Sequence, residues 1–149
     1  MGMTRSTLMR GTMGLLALIG TATYTLAQGD DVVARGRVLY DENCASCHGA
    51  NLEGQPDWRS PGEDGRYPAP PHDASGHTWH HSDADLIAYI TLGGEQALAQ
   101  MGVRFNSGMP GFGEVLTPKD VDDTLAYIKS RWPERERGVQ AERSLAPDQ

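Results

Sequence analysis

The two cysteines of this chain, Cys44 and Cys47, lie three positions apart, and His48 follows the second of them directly. Because the chain has no other cysteine, these thiols can pair with each other, bind a metal, or form a covalent bond to a cofactor. A disulfide across three positions closes so short a loop that it adds little stability. The motif therefore indicates a partner outside the polypeptide.

Cys-x-x-Cys-His is the pattern by which c-type haem is attached. Cysteines three apart on one helical turn point the same way, so both sulfurs can form thioether bonds along one porphyrin edge while the histidine binds the iron. A structural zinc site would need a second pair of ligands, and a thioredoxin-like pair would need a βαβ context. We therefore predict one haem c, attached through Cys44 and Cys47, with His48 as an axial ligand.

The first 27 residues predict a secretory signal peptide. Their only charges are Arg5 and Arg10, and an apolar run is followed by small residues that end at Ala27, where we expect cleavage. The alternative is an uncleaved membrane anchor, for which the stretch 11–27 is slightly short. We expect a periplasmic or otherwise exported protein, without stable membrane insertion if the signal is cleaved.

The chain that remains after cleavage is acidic. Cleavage removes two of the 13 basic residues and none of the 20 acidic ones, which leaves a formal charge of −9. Such a balance argues against nucleic acid as a partner.

Three segments show helical periodicity and start signals, at about 30–40, 82–93 and 117–132. Gly36 interrupts the apolar stripe of the first, which indicates a close helix crossing. No segment alternates with period two, so we predict an all-α fold. The charged tail, residues 134–149, lacks apolar periodicity and is expected to be solvated or frayed.

Two long connections separate these helices. Residues 49–81 contain five of the nine prolines and no convincing helix, and residues 93–116 are rich in glycine. A compact domain rarely contains so much irregular chain. We therefore expect a domain over residues 28–133 in which three or more short helices and long loops surround one covalently bound haem.

The second axial ligand is expected to be a methionine. Only Met101 and Met109 lie beyond the signal, and Met109 stands between glycine and proline in a loop, where a side chain that merely fills a core is unexpected. A thioether favours Fe(II) and raises the reduction potential relative to two histidines. With His48 and Met109 on the iron, no substrate could reach it, which favours an electron carrier over an enzyme.

On these residues the sequence resembles a bacterial class I monohaem cytochrome c over residues 31–132. The resemblance rests on "CASCHG" and "GMPGF", and on Gly36 and Tyr40 before the haem motif and Tyr127 near the end of the domain. It implies that the first and last helices cross at the glycine and the two aromatic rings.

The resemblance also implies that a proline carbonyl, of Pro70 or Pro71, accepts a hydrogen bond from the haem-binding histidine. His72 stands where relatives usually have a leucine packed near the haem.

The remaining histidines and the tryptophans have simpler interpretations. His72, His77, His80 and His81 could bind copper or zinc or supply another haem ligand, but hydrogen-bonded surface groups are favoured. The three tryptophans are expected to pack in the haem loop and the core: Trp58, Trp79 and Trp132.

Three functions remain open. The first is an electron carrier whose redox partners dock at the exposed haem edge. The second is an electron-entry subunit of a periplasmic oxidoreductase, and the third is a haem sensor or enzyme in which Met109 dissociates.

Expression with haem-maturation machinery should give a coloured product whose intact mass is that of residues 28–149 plus one haem. Mass spectrometry under denaturing conditions measures cleavage and covalent attachment together. A colourless chain with free or mutually bonded thiols would contradict the haem prediction.

Overall fold

A computed structural model describes residues 16–145, with side chains from residue 29 onward. The described residues form six α-helices and a 3₁₀ turn, with no strand, so the all-α prediction is confirmed. The helices are α1 (Leu16–Asn43), α2 (Ala45–His48), α3 (Asp83–Leu92), α4 (Gly94–Gln100), α5 (Pro118–Ser130) and α6 (Glu134–Leu145), and the 3₁₀ turn is Thr78–His80.

Helix α1 is longer than the sequence indicated. It begins at Leu16 instead of near residue 30, inside the predicted signal peptide, whose residues 1–15 lie outside the described part. The chain divides into a small unit that ends at Asp31 and a larger one that begins at Val32. Within the described residues, no helix has the length and apolar character needed to cross a membrane. Cleavage after Ala27 stays a prediction.

Capping boxes start α3 and α5, at two of the start signals that the sequence shows. The hydroxyl of Ser82 accepts from the backbone N–H of Asp85, and the Asp85 carboxylate accepts from the Ser82 N–H, both at 3.2 Å. Thr117 and Asp120 exchange the equivalent bonds at the start of α5. Each box satisfies backbone donors that the helix itself leaves without a partner. These helix starts fix where each of the two long connections ends.

The core lies where α1 crosses α5. A Cβ at Gly36 would lie 1.8 Å from the backbone oxygen of Asp123, so only glycine allows this approach. Next to it, the rings of Tyr40 and Tyr127 lie 5.4 Å apart between centroids. The crossing expected at the glycine and the two aromatic residues is therefore present. The buried core residues are Tyr40, Leu52, Leu86, Ile90, Leu116, Val121, Leu125, Tyr127, Ile128 and Trp132.

The second connection is less irregular than expected, because it contains α4. This helix has seven residues, too few to show a periodic stripe in the sequence. Its Ala97 is fully buried. The connection 49–81, in contrast, contains only the 3₁₀ turn, as predicted.

The expectation of a frayed tail was wrong, because residues 134–145 form α6. The helix is anchored by polar contacts, which hydrophobic periodicity does not reveal. Gln140 is 3% exposed, and its amide donates to the carbonyl of His81 at 3.4 Å. The N–H of Asp83 donates to the Ser144 hydroxyl at 3.0 Å, and the Arg135 guanidinium lies over the ring of Trp79.

We expect Gly36→Ala to lower the free energy of unfolding by about 1–3 kcal/mol, because the added methyl overlaps backbone at the crossing. Gly138→Ala is the matched control, since a Cβ there meets nothing within 4 Å. The control should raise stability by up to about 1 kcal/mol, the helix propensity difference. Urea unfolding measures both, and equal midpoints for Gly36→Ala and the wild type would contradict the crossing.

Candidate haem-binding site

The cysteines and the histidine of the motif share one helical turn. The backbone N–H groups of Cys47 and His48 both donate to the carbonyl of Cys44, at 3.1 and 2.9 Å. The N–H of Cys44 in turn donates to the carbonyl of Tyr40 at 2.8 Å, which ties this turn to the end of α1. The spacing of the motif therefore has the helical geometry that the sequence predicted.

The imidazole of His48 is oriented by a main-chain carbonyl. Its Nδ1 lies 2.8 Å from the carbonyl oxygen of Pro70, so of the two prolines that the sequence left open, Pro70 is the partner. A carbonyl can only accept, so Nδ1 carries the proton and Nε2 keeps its lone pair. His48 is 7% exposed, and burial lowers its pKa while the bond to Pro70 opposes that shift. The ring is held in the neutral form that binds metals.

The segment after His48 holds the Pro70 loop in place. The N–H of Gly54 donates to the carbonyl of His48 at 2.8 Å, and a Cβ at Gly54 would lie 2.5 Å from the nitrogen of Pro71. Leu52, 1% exposed, has a φ of +68°, and its carbonyl accepts from the N–H of His72 at 2.8 Å. A leucine keeps this strained conformation only where its surroundings enforce it. Burial and the bond to His72 do so here.

The two thiols are free and differ in environment. Cys44 is half-buried and packs against the core, whereas Cys47 is exposed. Burial, with a contribution from Cys47, raises the pKa of Cys44 to about 11. Cys44 is therefore a neutral thiol at physiological pH.

Met109 lies on a separate loop and packs, like Cys44, against the core cluster. Its carbonyl accepts from the N–H of Gly94 at 3.1 Å, and its own N–H donates to the Ser107 hydroxyl at 3.2 Å. A Cβ at Gly94 would lie 2.1 Å from that hydroxyl oxygen, so the loop packs this closely against α4 because residue 94 is a glycine. Further along, Phe112 N–H donates to the last turn of α3 at Ile90, at 2.8 Å. The loop that carries Met109 is thus fixed to the junction of α3 and α4.

The other histidines lie in different environments. Among residues 16–145, no group of three or more His, Cys, Asp and Glu is arranged to hold a metal ion. His77 and His80 are exposed, as expected of surface groups. His72 departs from that expectation, because its Nδ1 is buried and has no hydrogen-bond partner within the described part of the chain. Burial, with His48 and His77 nearby, holds the pKa of His72 well below its usual value.

Two aromatic side chains support the site in ways that the sequence did not reveal. The hydroxyl of Tyr40 donates to the carbonyl of Gly49 at 3.1 Å, and the indole N–H of Trp132 donates to the carbonyl of His72 at 2.7 Å. Both residues were expected to pack, and they do. Their acceptors are backbone carbonyls, which no sequence pattern marks.

The family of the chain follows from comparison with known proteins. The family model described as Cytochrome c matches residues 33–132, about two thirds of the chain. The chain belongs to the cytochrome c family. No curated protein and no solved structure matches it. Cytochromes c bind haem c covalently and typically carry electrons.

The residues present fit this cofactor. Cys44 and Cys47 have the attachment spacing, and His48 is a buried, neutral imidazole whose Nδ1–H is already bonded to a carbonyl. The half-buried thioether of Met109 lies on a fixed loop. A nitrogen and a soft sulfur are one donor pair that haem iron takes in electron carriers.

Gly54→Ala should lower the free energy of unfolding by at least about 2 kcal/mol, because it combines a positive φ with a backbone overlap. Gly62→Ala in the same loop is the control, since the nearest atoms to a Cβ there are 3.5 Å away. Thermal unfolding of the two variants measures the difference. Equal losses would show that the Pro70 loop is not held at Gly54.

Proposed function

We propose that this cytochrome is an exported electron carrier with a single haem c. Thioethers to Cys44 and Cys47 would hold the haem, and His48 and Met109 would be the axial ligands. The observation that carries the proposal is the bond between Nδ1 of the buried His48 and the carbonyl of Pro70. It fixes the position of Nδ1 and leaves the metal-binding nitrogen free.

The bound haem would supply an iron that changes between Fe(III) and Fe(II) by one electron. The protein residues would keep its surroundings nearly unchanged during that step. His48 is tied to the Pro70 loop and Met109 to Gly94, so neither ligand need move when the charge on the iron changes. Two fixed ligands also close the iron to substrates, so the function is transfer, not catalysis.

Export follows from the N-terminal segment. Residues 1–27 have the composition of a signal peptide, and covalent attachment of haem suits a carrier in the periplasm, where a loosely bound cofactor could be lost. The charge of −9 that remains after cleavage argues against nucleic acid as a partner.

The partners would be redox proteins that dock near the haem edge. Exposed apolar side chains around the Met109 loop support this part of the proposal. The ring of Tyr67 stacks on that of Phe105 at 4.7 Å, and both are more than a third exposed, as are Met101, Val103 and Val115. Small apolar surfaces of this kind suit transient docking.

Met109→Ala should lower the equilibrium constant for reduction by at least about tenfold, or ~59 mV for a one-electron couple. It should also let carbon monoxide bind the reduced protein. Met101→Ala is the matched control, because Met101 is 44% exposed and is the other methionine beyond the signal. Redox titration and carbon monoxide difference spectra measure these effects.

Rapid binding of carbon monoxide to the native reduced protein would contradict the closed site. A Met109→Ala variant with an unchanged potential would contradict ligation by Met109. That result would leave the prediction of a covalently attached haem, which is tested by mass, unaffected.

A further inference from the structure

The ring of His72 lies flat against the ring of His48. Their centroids are 3.8 Å apart and their planes differ by 19°. The bond from Nδ1 to Pro70 fixes one atom of the His48 ring, and a flat neighbour restrains the rotation that one bond leaves free. The two contacts together define the plane of the imidazole.

His72 cannot easily withdraw from this contact. Its backbone N–H donates to the carbonyl of Leu52 at 2.8 Å, and its own carbonyl accepts from the indole of Trp132 at 2.7 Å. The ring of His72 also makes an edge contact with the ring of Tyr40, and the two centroids are 5.9 Å apart. The residue is held on both sides of the backbone and at the ring.

A histidine at this position destabilises the folded protein. Its Nδ1 is buried and makes no hydrogen bond to any residue that the structure describes. A buried polar atom without a partner lowers the stability of the folded protein, and an aliphatic side chain of similar size would avoid that loss. Each such atom in a folded protein calls for an explanation. Contact with the iron-binding ring provides one.

We propose that His72 is a positioning residue for His48 and that its polar ring lowers the reduction potential of the haem iron. This rests on the proposed function, in which His48 binds the iron. The ferric site carries one more positive charge than the ferrous site. At this partly buried position, a neutral imidazole can take the tautomer whose unprotonated nitrogen turns toward that charge, and so it stabilises the ferric site better than a hydrocarbon does.

Two variants separate the polar effect from the stacking. His72→Leu removes both, and His72→Phe keeps a flat ring but removes the nitrogens. Both should raise the equilibrium constant for reduction by about three- to tenfold, or ~30–60 mV at 59 mV per tenfold. The electron paramagnetic resonance spectrum of the ferric protein, which reports the axial ligand planes, should change in His72→Leu and stay close to wild type in His72→Phe.

His80→Leu is the matched control. His80 is exposed, and its ring lies against Trp79 with centroids 3.7 Å apart. The same chemical change in the same loop should leave the potential and the spectrum unchanged. The proposal is supported if the reduction potential rises in both His72 variants and does not change in His80→Leu.

An unchanged or lowered potential in His72→Leu would overturn it, as would an equal shift in His80→Leu. If His72→Leu does not fold, the potential of His72→Phe decides the polar effect by the same criterion. A wild-type chain that carries no covalent haem by intact mass would instead refute the proposed function and this inference with it. If the protein carries covalent haem but its reduction potential does not change when His72 is replaced, only this inference is refuted.

Discussion

The hydrogen bond between His48 and the carbonyl of Pro70 is the interaction on which the rest of the structure depends. It joins a helical turn to a loop 22 residues further along the chain. The turn is fixed by α1, and the loop is fixed by Leu52, Gly54 and Trp132. A donor at Nδ1 leaves the other ring nitrogen free, as the proposed role of His48 as an iron ligand requires.

The C-terminal helix extends this support beyond the part of the chain that matches the family, which ends at Trp132. The guanidinium of Arg137 donates to the carbonyl of Trp132, and the indole of Trp132 donates to that of His72. A continuous set of contacts therefore runs from α6 to the ring that lies on His48. Hydrogen bonds from Lys129, Gln140 and Ser144 outweigh the effect of burial and keep the pKa of Asp83 low, so this carboxylate anchors α6 in its charged form.

The loop that carries Met109 is also held through its main chain. Glycines at the α3–α4 junction let the backbone of the Met109 loop lie directly against it. The cytochrome thus holds its two proposed ligands through main-chain contacts more than through side-chain packing. Main-chain contacts change little in length or charge when an iron gains an electron, which suits a carrier.

The sequence by itself determined the chemistry and much of the architecture. The Cys-x-x-Cys-His spacing indicated haem attachment, the capping boxes marked the starts of α3 and α5, and Gly36 indicated the crossing, because each depends on residues close in the chain or on one special residue. The tertiary structure alone decided that Pro70 is the partner of His48, that α6 packs as a helix, and that the ring of His72 stacks on that of His48. These outcomes depend on backbone carbonyls and polar contacts between distant segments, and neither leaves a periodic pattern in the sequence.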